Sequence, residues 1–115
     1  MFIVRDQQVR ALVRDALARW IAAHLRRFFP AECAALGETG LRERIREGIS
    51  RAVSHGFESE VHISQYLDLM FAFGPDFDSD PALPWARALL AEENLTPDIR
   101  MHRLLEEGCR HREGA

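Results

Sequence analysis

The stretch VHISQYLDLMFAFGPDFDSD, residues 61–80, limits the fold more than any other part of the chain. Ile63, Tyr66, Leu67, Met70 and Phe71 recur at helical spacing, while Leu69, Ala72 and Phe73 fill the remaining faces. A helix that is apolar nearly all round must be covered on several sides. Gly74 suits a left-handed helix end and Pro75 cannot continue the backbone hydrogen bonding, so the chain has to leave as the irregular loop PDFDSDP. The pattern predicts an all-α protein, a compact bundle of about five helices around a central apolar helix over about 60–73.

The rest of the sequence supplies helices to cover it. Asp6 opens a long helix to about Phe29, with Val9, Leu12, Val13, Ala16, Leu17, Trp20, Ile21, Leu25 and Phe28 as its apolar stripe. Phe2, Ile3 and Val4 precede it as a short β-prone run that either tucks in or waits for a strand. PAECAAL is expected to form a turn or two between Pro30 and Gly37, and Thr39 to cap a helix carrying Leu41, Ile45, Ile49, Ala52 and Val53. Gly56 closes that helix, Phe57 folds back on its last turn, and Ser59 caps the central one. Pro84 begins a helix with Trp85, Leu89 and Ala88 inward, and Thr96 with Pro97 begins the last, through about Glu107 with Ile99, Met101, Leu104 and Leu105 apolar. After Gly108 the tail 109–115 is expected to fray. At 115 residues the chain has the length of one domain, 1–115, and no strand-period run, repeat or low-complexity linker interrupts it.

Charge and cysteine usage narrow the setting. No apolar run approaches a membrane span, and MFIVRDQQ has no signal-peptide pattern, so the expected location is cytoplasmic, with no membrane partner. Cys33 and Cys109 have no metal spacing and read as free thiols of a reducing compartment. Residues 1–57 carry ten Arg against six Asp and Glu, a net of +4, and residues 58–115 five Arg against twelve acids, a net of −7. The two halves are complementary, which packing within the chain or an acidic docking surface would each use.

Most site chemistry is excluded on spacing. Asp76, Asp78 and Asp80 open like a calcium loop, but its sixth position is Pro81 in place of Gly and its twelfth Arg87 in place of a bidentate Glu. Asp80 is instead expected to cap the helix at the prolines, Asp78 to bond its own backbone, and Phe77 to anchor the loop. His24, His55, His62, His102 and His111 include no HExxH pair, so no metal is predicted. There is no GxSxG elbow, no glycine-rich phosphate loop and no partnered cysteine, hence no catalytic residue, no cofactor and no enzyme activity in this reading. Arg42, Arg44, Arg46 and Arg51 crowd one helix, but Glu38, Glu43 and Glu47 interleave them, which argues against nucleic acid. Trp20, Trp85 and the phenylalanines are expected in the core.

YLDLMFAFGPDFDSDPALPWARALL, with MFIVRDQQ and GLRERIREGISRAVSHGF, resembles a group of small bacterial proteins whose genes accompany type VI secretion spike and effector loci, beside VgrG or PAAR proteins. The resemblance runs from about Phe2 to Leu105 and is most specific at the aromatic helix, GPDFD and the PW pair. It implies a cytoplasmic accessory, an adaptor or chaperone that holds an effector or loads it on the spike, and it supplies no catalytic residues to carry over. The alternatives are a self-associating scaffold, such as a homodimer, and an enzyme whose motifs do not show. Two surfaces are the candidates for binding a protein partner. One is Phe2, Ile3 and Val4, able to add as a strand to a partner's sheet edge; the other is the acidic rim of Asp76, Asp78, Glu92 and Glu93, able to steer an Arg-rich partner.

Overall fold

Proline and glycine punctuation sets most of the element boundaries. The computed structural model describes the backbone of residues 2–113 and the side chains of residues 14–112. Among the described residues the chain is all-α, with α1 over Phe2–Phe28, α2 over Pro30–Ser54, α3 over Glu60–Phe73, α4 over Pro84–Leu90 and α5 over Pro97–Glu113. No helix of the described residues is long and apolar enough to cross a membrane. The chain divides into two compact units, 1–46 and 47–115, with the boundary inside α2.

In the first unit, α1 starts at Phe2 rather than Asp6. The backbone of Phe2, Ile3 and Val4 is thus the helix's first turn and not an extended end, since β-branching is only a weak preference once a helix is under way. Their side chains, with those of Val9, Leu12 and Val13, lie outside the described residues. Leu17, Ile21 and Leu25 are buried in a single i,i+4 row, whereas Ala16, Trp20 and Phe28 from the predicted stripe are exposed. Phe29 N–H donates to the Leu25 carbonyl at 2.7 Å and Cys33 N–H to the Phe29 carbonyl at 3.0 Å, so backbone pairing continues past Pro30. A non-helical backbone at Gly37 kinks α2 where the sequence places a break, and Leu41 and Ile45 beyond it are buried. Cys33 is buried too, and that burial pushes its thiol above its ordinary pKa, which disfavours the reactive thiolate.

In the second unit, α3 is central as its composition predicts: Ile63, Ser64, Tyr66, Leu67, Leu69 and Met70 are all buried. The Ser59 side chain caps it by accepting from His62 N–H at 3.1 Å, and Gly74 ends it by donating to the Met70 carbonyl. The end of α2 closes through Gly56 at φ 92°, with Gly56 N–H on the Val53 carbonyl and Phe57 N–H on the Ala52 carbonyl, both 2.9 Å. This is a Schellman closure, which needs a residue without a Cβ at the left-handed position and drives Phe57 fully inside. Gly48 lets α2 approach α3 closely, because a Cβ there would stand 2.3 Å from Leu67 Cδ2 and 3.0 Å from Met70 Sδ.

Both α3 and α4 pack on α5. Ala86 and Leu90 are the buried positions of α4; of the predicted inward residues Trp85 and Leu89 are half-buried, Trp85 edge-on to Phe73 with centroids 5.3 Å apart, and Ala88 is exposed. Met101 and Leu104 are the inward row of α5, whose start is capped by Thr96 accepting from Ile99 N–H at 3.3 Å. Gly108 does not stop α5. A Cβ on Gly108 would lie 3.2 Å from Phe73 Cε2 and 3.3 Å from Leu69 Cδ2, so the glycine opens room for α3 while helical pairing runs on to Glu113. The predicted fraying after Gly108 is therefore corrected over 109–113.

Candidate functional site

The acidic loop is built on Phe77, whose side chain is fully buried with its ring centroid 5.0 Å from that of Tyr66. Burying that ring draws the flanking carboxylates back against the end of α2. Arg51 Nη1 lies 3.0 Å from Asp76 Oδ1 and 3.7 Å from Asp78 Oδ1, and also donates to the Pro75 carbonyl, while Arg51 Nη2 holds Glu47 Oε1 at 2.8 Å. Asp78 Oδ2 accepts from the Tyr66 hydroxyl at 3.0 Å and sits 3.2 Å from His55 Nε2. Asp78 thus hydrogen-bonds Tyr66 and His55 and faces the Arg51 charge, and does not bond its own backbone as its position suggests. Asp80 makes a local turn, accepting from Ala82 N–H at 2.9 Å; α4 starts later, at Pro84, without a side-chain cap.

The electrostatics fit a closed structural tie. Burial works against the Arg51 charge, but the hydrogen bond with Asp76 and the charges of Asp78, Glu47 and Asp76 outweigh it and raise its pKa further. Burial, then the Asp78 charge and the hydrogen bond to it, keep the Tyr66 phenol protonated far above its ordinary range. Charge-assisted bonds of this kind are worth about 1.5 to 3 kcal/mol each where they are shielded from water. Asp78 is shielded, at 15% side-chain exposure, and Asp76 is not, at 71%. The hydroxyls of Ser54 and Ser79 accompany the network but bond backbone carbonyls of Arg51 and Asp76.

A second tie uses Arg100 of α5. Its Nη1 donates to the His55 carbonyl at 3.0 Å and the Leu90 carbonyl at 3.3 Å, so one guanidinium serves the C-terminal ends of α2 and α4 and lies over the Phe57 ring. Its Nε is buried without an acceptor among the described residues. Nearby, His62 Nε2 meets Asp98 Oδ1 at 2.8 Å.

Of the predicted surface residues, Asp76 and Asp78 are brought together by Arg51. Glu92 and Glu93 lie exposed after α4, and no contact joins either to that pair. The four do not act as one free rim, because Arg51 faces both Asp76 and Asp78, and the other Asp78 oxygen is occupied by Tyr66 and His55. No three His, Cys, Asp or Glu among the described residues form a group that could hold a metal ion, and between Asp76 and Asp78 the position of a cation is taken by Arg51. An open cleft of about 410 Å³ lies beside Trp85, Ala88, Leu89, Arg103, Glu106 and Glu107. Its carboxylates are engaged, Glu107 with Arg110 and His111, and Glu106 with His102.

The surface that periodicity misses is on α1. Trp20 is 56% and Phe28 59% exposed, and the rings form a ladder through His24, with centroids 5.5 Å apart from Trp20 to His24 and 4.9 Å from His24 to Phe28. Arg27 stands over the Phe28 ring at 5.5 Å. The i,i+4 spacing of the three rings and the arginines among them are the signal available in the sequence; it reads as a core stripe because Trp20 adjoins the truly buried row. No protein-family model matches the chain, and no curated protein or solved structure shows a significant match.

Proposed function

We propose that the chain is a protein-binding accessory, an adaptor or chaperone for a type VI secretion effector or spike protein, acting by contact through α1. The observation that carries this reading is the pair of exposed rings Trp20 and Phe28, pre-stacked on a half-buried His24. Large rings held in place lose little side-chain entropy on docking, which is why Trp and Arg so often dominate binding surfaces. The resemblance to proteins encoded beside spike and effector genes supports the choice of partner. Co-expression with the product of an adjacent spike or effector gene tests it: the parent is expected to co-purify, and Trp20→Ala, which leaves the fold intact, to lose capture. Equal capture by both, or none by the parent, would overturn it. Self-association is the second reading, favoured by opposite unit charges: nine Arg against five acids over 1–46, and six Arg against thirteen over 47–115. A concentration-dependent rise in mass at low salt, with no partner present, is its signature.

A further inference from the structure

The chemistry of the α1 face selects among binding partners. Arg19, Arg26 and Arg27 are all exposed there, within about 120° of arc ending at Trp20, beside the single carboxylate of Asp15, and among the described residues none of these four makes an ion pair. Three arginines elsewhere, Arg42, Arg51 and Arg110, do make ion pairs. Ala16, Ala23 and Arg27 recur on the Trp20 side at three-, four- and seven-residue spacing, so the indole rises between two small residues with a guanidinium one heptad along. From Ala16 to Arg27 this face is about 16 Å long, the length of three turns of a second helix.

We infer that α1 receives an acidic amphipathic helix of a partner protein, with its apolar seam on Ala16, Trp20 and Ala23 and its Glu or Asp side chains on Arg19, Arg26 and Arg27. The inference rests on the reading of α1 as the docking surface. A strand is disfavoured as the occupant, because the N–H and C=O groups of α1 are already paired within the helix and offer no edge to add to. A second α1 from another copy is disfavoured as well: it would set three guanidiniums against three. An acidic helix answers both features, covering the Trp20 ring with its seam and meeting unpaired cations with its flanks.

The test uses the full chain and a fluorescein-labelled helical peptide of about 21 residues, with Leu on a heptad seam and Glu elsewhere, beside a control that has the same Leu seam and Lys in place of Glu. Anisotropy should show saturable binding of the Glu peptide, weakened at least about ten-fold by Trp20→Ala and, separately, by Arg19→Glu with Arg27→Glu. It should also fall steeply between about 0.05 and 0.5 M salt. Trp20→Phe should retain most of the binding, which separates a ring contact from a folding defect. No binding of the Glu peptide overturns the inference, as does equal binding of the Lys peptide or indifference to both variants. So does tighter binding to phosphatidylglycerol-containing vesicles or to duplex DNA, or a concentration-dependent dimer that Trp20→Ala abolishes. If Trp20→Ala loses the adjacent gene product while the Glu peptide never binds, the docking reading stands and the acidic-helix inference alone fails.

Discussion

Arginine and aromatic rings meet differently at the acidic loop and along α1. At the acidic loop, Arg51 is surrounded by Glu47, Asp76 and Asp78, and the adjoining rings of Tyr66 and Phe77 are inside. Along α1, Arg19, Arg26 and Arg27 stand beside Trp20 and Phe28 with rings and guanidiniums alike facing water. The first assembly contains its own counter-charges and has little left to offer a partner; the second lacks them. Acidity alone is thus a poor guide to a docking surface, and what matters is whether the complement is already present in the chain.

Substitutions should separate the two assemblies. Phe77→Ala should cost about 3 to 5 kcal/mol in chemical denaturation, since it empties the anchor of the loop. A loss below about 1 kcal/mol would mean that the loop is not held by this ring. Asp78→Ala should cost about 1 to 3 kcal/mol, leaving the buried Tyr66 hydroxyl without its acceptor and Arg51 without its shielded counter-charge, whereas Asp76→Ala, at an exposed carboxylate, should cost less than about 1 kcal/mol. Equal costs would erase the distinction between the two aspartates.

An alkaline titration sharpens the same side of the comparison. Tyr66 is the only tyrosine, so phenolate absorbance reports it alone. Its folded-state pKa is raised, so the folded protein keeps a proton that the unfolded chain releases above about pH 10. The stability contribution is complete below that pH and declines as pH rises beyond it. Phenolate should appear together with loss of helical circular dichroism; a phenolate signal near pH 10 with the helices intact would place the hydroxyl in solvent. On the α1 side, Trp20→Ala should change stability by less than about 0.5 kcal/mol. A larger loss would make Trp20 part of the core and bring the two assemblies closer in kind.

The helices were legible because their ends are chemically marked: Ser59 and Gly74 around α3, Pro84 before α4, and Thr96 with Pro97 before α5 all behave as their side chains dictate. Gly108 shows the limit, since the same residue type that ends a helix also lets two helices touch, and only the position of Phe73 and Leu69 decides between them. Trp20 shows another. It differs by about 100° around the helix from Ile21, and a stripe drawn from spacing alone takes in both. The partners of Asp78 come from residues 51, 55 and 66, so no local motif could announce them. The proposed partner class comes instead from resemblance and from the α1 surface.

Arg100 joins carbonyls that belong to chain segments 45 and 10 residues away from it. Both helix ends draw on this one donor, so removing the Arg100 side chain takes a hydrogen bond from each. Amide exchange at Gly56 and Ala91, which close the turns beside those carbonyls, should then accelerate together in Arg100→Ala.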